Sequence, residues 1–358
     1  ASQDQKRSGS DCSAPPISCS RYERSGPRMG VMGNSMGLDF LSINPGCHAD
    51  ATSARCPSNQ SSGKGEWPMP ATSIRTWKRI ANQGWSDLTR GIHWHVLGGS
   101  RYYKRNWMRL ATSRRWCFIV GCNNSGTTFL NRLLRASPEV SAMFGEAQLA
   151  TRTLPRTNRR GHERVWTEYL DQLSPDIDLS VFGPRLVHDW MYSLQPPIRR
   201  VVVLKTPSYA AVMPFLQDAF PRSCFIGVVR NGYATAESIR TTGNKSLSRA
   251  ARHWAMVNRL MLEQASHLEN FMFFRFEDLV DDPTGAANRL ATFIEIQPDP
   301  LVQALSSGET GWTIFNPNSN RLARMPQADR DIIDSVAHDM LQHFGYSLDV
   351  MRSRRNNS

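Results

Sequence analysis

The sequence predicts an α/β fold: a phosphate-loop three-layer sandwich around a central, mainly parallel sheet. Short apolar runs alternate with helix-length stretches from Trp116 onward, the pattern of a parallel sheet covered on both faces. The first run passes directly into a glycine-bracketed turn and a helix. The charged and hydroxyl residues follow the apolar runs, at the carboxyl ends of the expected strands, where such sheets bind ligands.

Taken in order, Cys117–Gly121 is a strand-like run and Thr127–Arg135 is helical. Val201–Leu204 is β-branched, and Tyr209–Phe220 follows with helical spacing. Phe225–Val229 is the next strand and Tyr233–Arg240 the next helix. Leu247–His267 reads as a long amphipathic helix. Phe271–Phe276 is a strand, Gly285–Ile294 a helix, and Ile332–Phe344 a closing helix.

Net charge is +12 over 358 residues, with 40% hydrophobic residues. The first 115 residues hold 17 Lys/Arg and 7 Asp/Glu. The excess therefore belongs to the leading segment, and the part from Trp116 onward gives no basis for a nucleic-acid partner. Residues 1–70 are rich in Ser, Gly, Pro and Asn without a sustained period, which predicts disorder. Residues 71–115 interleave Trp77, Trp85, Trp94, Tyr102, Tyr103 and Trp107 with Arg and Lys. We read them as a partly helical extension packed on the domain, with binding to a membrane surface or a nucleic acid as the alternative. The domain proper is assigned to 116–350. No run approaches the roughly 20 apolar residues that span a bilayer. Of seven cysteines, Cys12, Cys19, Cys47 and Cys56 show no zinc-ligand spacing, and Cys117, Cys122 and Cys224 fall in or beside strands as buried thiols.

The chemistry begins at Gly121-Cys122-Asn123-Asn124-Ser125-Gly126-Thr127-Thr128. Two glycines let the backbone fold tightly, so that N–H groups converge on an anion at a helix N-terminus. In nucleotide hydrolases a Lys follows the second glycine and reaches the terminal phosphates. Here the residue is Thr127, so the loop suits a phosphate ester without a triphosphate tail. A second cluster follows the strand at Phe225–Val229: Arg230 can fork onto a phosphate, and Ser238 adds a hydroxyl from the next helix. Glu146 is a candidate base for a hydroxyl proton, with His188 and His253 as rivals. Lys205 ends the strand at Val201–Leu204.

These motifs resemble the sulfotransferases that use 3′-phosphoadenosine 5′-phosphosulfate (PAPS), over about Trp116–Tyr346. Ser125-Gly126-Thr127-Thr128 is similar to the second half of that family's 5′-phosphosulfate loop. Asn124 stands where the family has Lys or Arg. The Arg230 and Ser238 spacing is similar to its 3′-phosphate site. Glu146 lies where tyrosylprotein sulfotransferases and bacterial relatives carry a base, and Lys205 where the family carries a cation beside the transferring group. Phe276–Pro283 resembles a strand-to-helix signature, and Asn316–Arg324 a late loop closing on the nucleotide, with Arg324 preferred over Arg321 as a phosphate contact.

The resemblance implies an enzyme that takes PAPS as co-substrate without a metal and sulfates a hydroxyl-bearing acceptor: protein tyrosine, carbohydrate or lipid. Arg152–Pro197 is read as acceptor loops, which carry no readable code for the acceptor. Asn124, Ser125, Gly126, Thr127, Thr128, Arg230, Ser238 and Arg324 then hold the donor, and Glu146 and Lys205 act on the reacting groups. With Asn124 uncharged, Lys205 carries the cationic role alone. The implied compartment is the cytoplasm for a bacterial protein, or the Golgi lumen for a eukaryotic one lacking its anchor. Two rivals remain open: a phosphate-loop kinase or nucleotidase, and a non-catalytic anion- or glycan-binding protein on the same scaffold.

Overall fold

Strand β1, Arg115–Gly121, is the centre of the molecule. It pairs in parallel with β3 (Val201–Lys205) on one side and β4 (Ser223–Val229) on the other. β2 (Val140–Ala142) and β5 (Phe271–Arg275) close the two edges, giving the order β2-β3-β1-β4-β5, parallel throughout. The computed structural model describes residues 84–157, 162, 164–173, 178–194, 196–307, 322 and 324–346, all within a compact unit at 68–358. The disorder expected for 1–70, the extension's first part, and Arg321 lie outside the described residues.

Alternation along β1 builds the three layers. Trp116, Phe118 and Val120 enter one core, while Cys117 and Ile119 enter the other, because successive strand side chains point to opposite faces. On the second face lie α3 (Thr127–Leu134), α9 (Pro283–Ile294) and α10 (Asp299–Ser307), through Leu130, Leu290 and Leu301. The first face is covered by α4 (Leu179–Ser193), α5 (Met213–Ala219), α6 (Gly232–Gly243), α7 (Leu247–Ala265) and α11 (Gln327–His343). There Trp116, Phe118, Trp190 and Phe220 pack with ring centroids 4.5–6.2 Å apart. Truncating one such buried ring to Ala costs about 3–5 kcal/mol.

Three local departures from the sequence reading have physical reasons. The strand expected over Phe271–Phe276 stops at Arg275, because Phe276 opens a short helix, α8, Phe276–Asp281. The helix expected over Tyr209–Phe220 is split into a 3-10 turn, Pro207–Ala211, and α5. Val212 breaks the helical backbone at φ −134°, and Pro214 sits in the first turn of α5, where its missing N–H costs nothing. Helix α4 falls in the stretch expected to be acceptor loops. Its Gly183-Pro184 pair reads as a breaker in sequence, yet the helix runs through it.

The described part of the leading extension is helical and in contact with the domain. A helix at 84–95, α1, and α2 (Gly99–Thr112) lie against α4. Trp107 sits on Gly183, where a Cβ would come within 2.8 Å of its ring. Leu110 and Ala111 enter the core. Trp85, Leu88 and Ile92 stay exposed on α1, as does Val96 just after it. Cys117, Cys122 and Cys224 are buried free thiols, as expected.

The chain crosses from β3 over β1 to β4. The carboxyl ends of β1 and β4 therefore flank the point where the sheet's winding reverses, the crevice in which open α/β sheets hold ligands.

Candidate functional site

The β1–α3 loop lies at this crevice. Gly121 has φ +145°, and a Cβ there would stand 2.6 Å from the Val228 carbonyl oxygen. Gly126 has φ +104°, and its Cβ would stand 2.3 Å from the Phe276 ring. Both glycines are thus required by backbone sign and by close approach. The Ser125 hydroxyl donates to the Cys122 carbonyl at 2.7 Å, and the Ser125 N–H reaches the same oxygen at 3.3 Å, which closes the turn. The residue before α3 is Gly126, which has no side chain to cap the helix N-terminus. Thr127 is buried and Thr128 exposed. This is a cradle shaped for an anion.

Asn124, at φ +65°, is the loop's junction. Arg230, at the end of β4 and 8% exposed, donates through Nη1 to the Asn124 carbonyl oxygen at 3.0 Å. Its guanidinium also lies 5.2 Å from the Phe276 ring centroid. The backbone of Arg230 is fixed on both sides: Trp254 Nε1 donates to its carbonyl at 2.9 Å, and the next N–H, of Asn231, donates to Glu277 at 2.9 Å. Asn231 then caps α6 by accepting from the Ala234 N–H. Ser238, nearly buried, lies on α6. Near the helix end, Thr242 Oγ1 accepts from Asn124 Nδ2 at 3.0 Å and donates to the Ser238 carbonyl at 2.6 Å. Arg164 Nη1 donates to Asn124 Oδ1.

One strand away, Lys205 ends β3 with its Nζ 3.2 Å from Glu146 Oε1. The lysine side chain is 6% exposed and the glutamate 26%, so the pair is open to solvent on the carboxylate side. Burying the ammonium is offset by this partner. Gln148 Nε2 donates to Glu146 Oε2, and Gln148 Oε1 in turn accepts from the N–H and hydroxyl of Thr157, both at 2.9 Å. Thr206 accepts from the Gln148 N–H and donates to the Lys205 carbonyl, joining the two elements.

The structure therefore gathers Asn124–Thr128, Arg230 and the helix carrying Ser238 into one cluster, and pairs Glu146 with Lys205. It does not join Arg324 to them: that side chain is exposed, with no hydrogen bond to the site among the described residues. The rival bases are structural. His188 is fully buried, with Asp189 on Nδ1 and His93 on Nε2, each at 3.0 Å. His253 pairs with Thr167 at 2.8 Å, and burial lowers its pKa to about 3. Sequence reasoning missed Arg164, Thr242, Gln148 and the packing role of Phe276. Gln148 carried a signal, a Glu-x-Gln spacing beside a predicted base, whereas Arg164 lies in the stretch read as acceptor loops.

A family profile described as "Sulfotransferase family" matches residues 117–300. Nodulation protein NoeE of Sinorhizobium fredii is 31% identical over 132 residues, 35% of this chain and 31% of that protein's length. Among solved structures, sulfotransferase STF9 of Mycobacterium avium is 14% identical, covering 70% of this chain and 82% of its own, with a TM-score of 0.46. Mouse sulfotransferase SULT7A1 complexed with PAP is 13% identical over 69% of this chain and 90% of its own, with a TM-score of 0.40.

Proposed function

The chain belongs to the sulfotransferase family, and on that premise we propose that it moves a sulfuryl group from PAPS to a hydroxyl-bearing acceptor. The observation that carries the reading is the placement of a lysine–carboxylate pair one strand from a lysine-free phosphate loop. The residues present fit the donor. The loop glycines leave backbone room that a Cβ would fill, and Arg230 is clamped in place beside the loop.

In this reading the N-terminus of α3, with Thr127 and Thr128, holds the 5′-phosphosulfate, and Arg230 with Ser238 holds the 3′-phosphate. The bound donor supplies an activated S–O bond. Glu146 receives the acceptor's hydroxyl proton on a carboxylate oxygen while the acceptor oxygen bonds to sulfur. Lys205 Nζ donates to the bridging oxygen, which keeps the electron pair of the broken S–O bond and leaves on the 5′-phosphate. The two roles are coupled by their hydrogen bond. When Glu146 takes the proton it loses the charge that holds Lys205, and the ammonium is released towards the oxygen where charge develops. Gln148 keeps the carboxylate oriented throughout.

The test is transfer of radiolabelled sulfuryl from PAPS to a panel of tyrosine peptides, glycans and hydroxylated lipids. Labelled product is expected from the wild type, and Glu146→Gln should lower its rate by about a hundredfold or more. A Glu146→Gln protein with undiminished transfer would remove Glu146 as the base.

A further inference from the structure

The family resemblance leaves the loop one positive charge short, because Asn124 stands where a cation is expected. We propose that Arg164 supplies that charge from a distant segment, with Asn124 as the adaptor that holds its guanidinium at the loop. The proposal rests on the reading of this loop as the 5′-phosphosulfate site.

Four observations carry it. First, two guanidiniums meet one loop residue: Arg230 donates to the Asn124 backbone oxygen and Arg164 to its side-chain oxygen. Two like charges on a neutral residue repel unless an anion lies between or beside them. No described carboxylate forms an ion pair with Arg164, so its charge stays available.

Second, the adaptor's orientation is fixed. Asn124 Nδ2 donates to Thr242 Oγ1, whose own proton is committed to the Ser238 carbonyl. The amide oxygen therefore faces Arg164, and the flipped amide would set N–H against N–H. A Lys at this position would fill the place and repel Arg164, so the two arrangements exclude one another.

Third, the chain makes room for the arginine stem. A Cβ at Gly243, where α6 ends, would stand 3.2 Å from Arg164 Cδ. Fourth, Arg164 itself holds φ +70°, a conformation that a non-glycine residue adopts at a cost and keeps where the surroundings enforce it. A guanidinium has five N–H donors, and the bond to Asn124 uses one. Unlike the point charge of a lysine, it can grip Asn124 and an anionic oxygen together.

The test separates the two ends of the nucleotide by calorimetry on the full chain, with adenosine 3′,5′-bisphosphate and adenosine 3′-monophosphate as probes. Arg164→Ala and the uncharged Arg164→Gln should each weaken the bisphosphate by about tenfold or more and leave the 3′-monophosphate unchanged. Arg230→Ala should weaken both probes. Adding Asn124→Lys to Arg164→Ala should return bisphosphate affinity to within about threefold of wild type, since a loop cation then replaces the remote one. Unchanged bisphosphate affinity in both Arg164 variants, equal weakening of both probes, or no recovery in the double variant would overturn the assignment. A wild type that binds neither probe would instead overturn the reading of the site, and this proposal with it.

Discussion

In the proposed reaction, removing the Lys205 ammonium takes away a donor needed most when the S–O bond breaks, while the ground-state donor would still be held at the N-terminus of α3 and by Arg230. Lys205→Ala should therefore lower kcat by about a hundredfold, the scale of a lost oxyanion donor, with little change in product affinity. Single-turnover transfer measured beside bisphosphate affinity checks the split, and a loss confined to affinity would contradict it. Arg230→Ala should weaken adenosine 3′,5′-bisphosphate by about ten- to a hundredfold in calorimetry, the cost of a charge-assisted phosphate contact. His253 sets a pH dependence. Burial lowers its pKa from the ordinary 6.5 to about 3, so it folds neutral. The unfolded chain then binds the extra proton as pH falls below 6.5, and the stabilisation present above that pH is lost towards 3. Stability should fall by up to about 2 kcal/mol between pH 6.5 and about pH 5, and His253→Gln should flatten that slope in thermal melts. At this scale the sequence shows the residues that sit at strand ends, Lys205 and Arg230, and the glycines of the loop, because position after a strand is a local pattern. It does not show Arg164, because its partner is 40 residues away and neither residue lies in a periodic segment.

Elements were legible where burial imposes a period. The three central strands are present as expected, because a strand buried on both faces reads as an unbroken apolar run. Ends were less legible: Phe276 is as apolar as the strand before it, yet it turns inward over Gly126 and begins α8. Helix α4 was invisible because Gly183-Pro184 mimics a break, although the glycine is there to admit the Trp107 ring. That contact joins the leading extension to the domain. Trp107→Ala should lower stability by about 2–3 kcal/mol, since the ring is only partly buried. Bisphosphate affinity should hold, because the contact belongs to α2 and α4 and not to the loop. Thermal melts with and without bisphosphate check this, and an unchanged melting temperature would mean that the α2–α4 contact contributes little.

Across the whole molecule, charge and function are separated. The leading 115 residues carry most of the +12, and the sheet domain is nearly neutral, yet Arg164, Arg230 and Lys205 place positive charge near the carboxyl ends of the central strands. Deleting residues 1–70 should leave melting temperature and bisphosphate binding intact, since that stretch has no pattern able to bury a core. Extending the deletion through α2 removes Leu110 and Ala111 from the core and should lower the melting temperature by several degrees or more. The most direct measurement is a calorimetric titration of the full chain with adenosine 3′,5′-bisphosphate, run against magnesium-ATP. A loop without the hydrolase lysine should bind the bisphosphate with a Kd in the nanomolar to micromolar range, about 8–12 kcal/mol, and ATP far more weakly. Tight binding of magnesium-ATP with no binding of the bisphosphate would contradict the account.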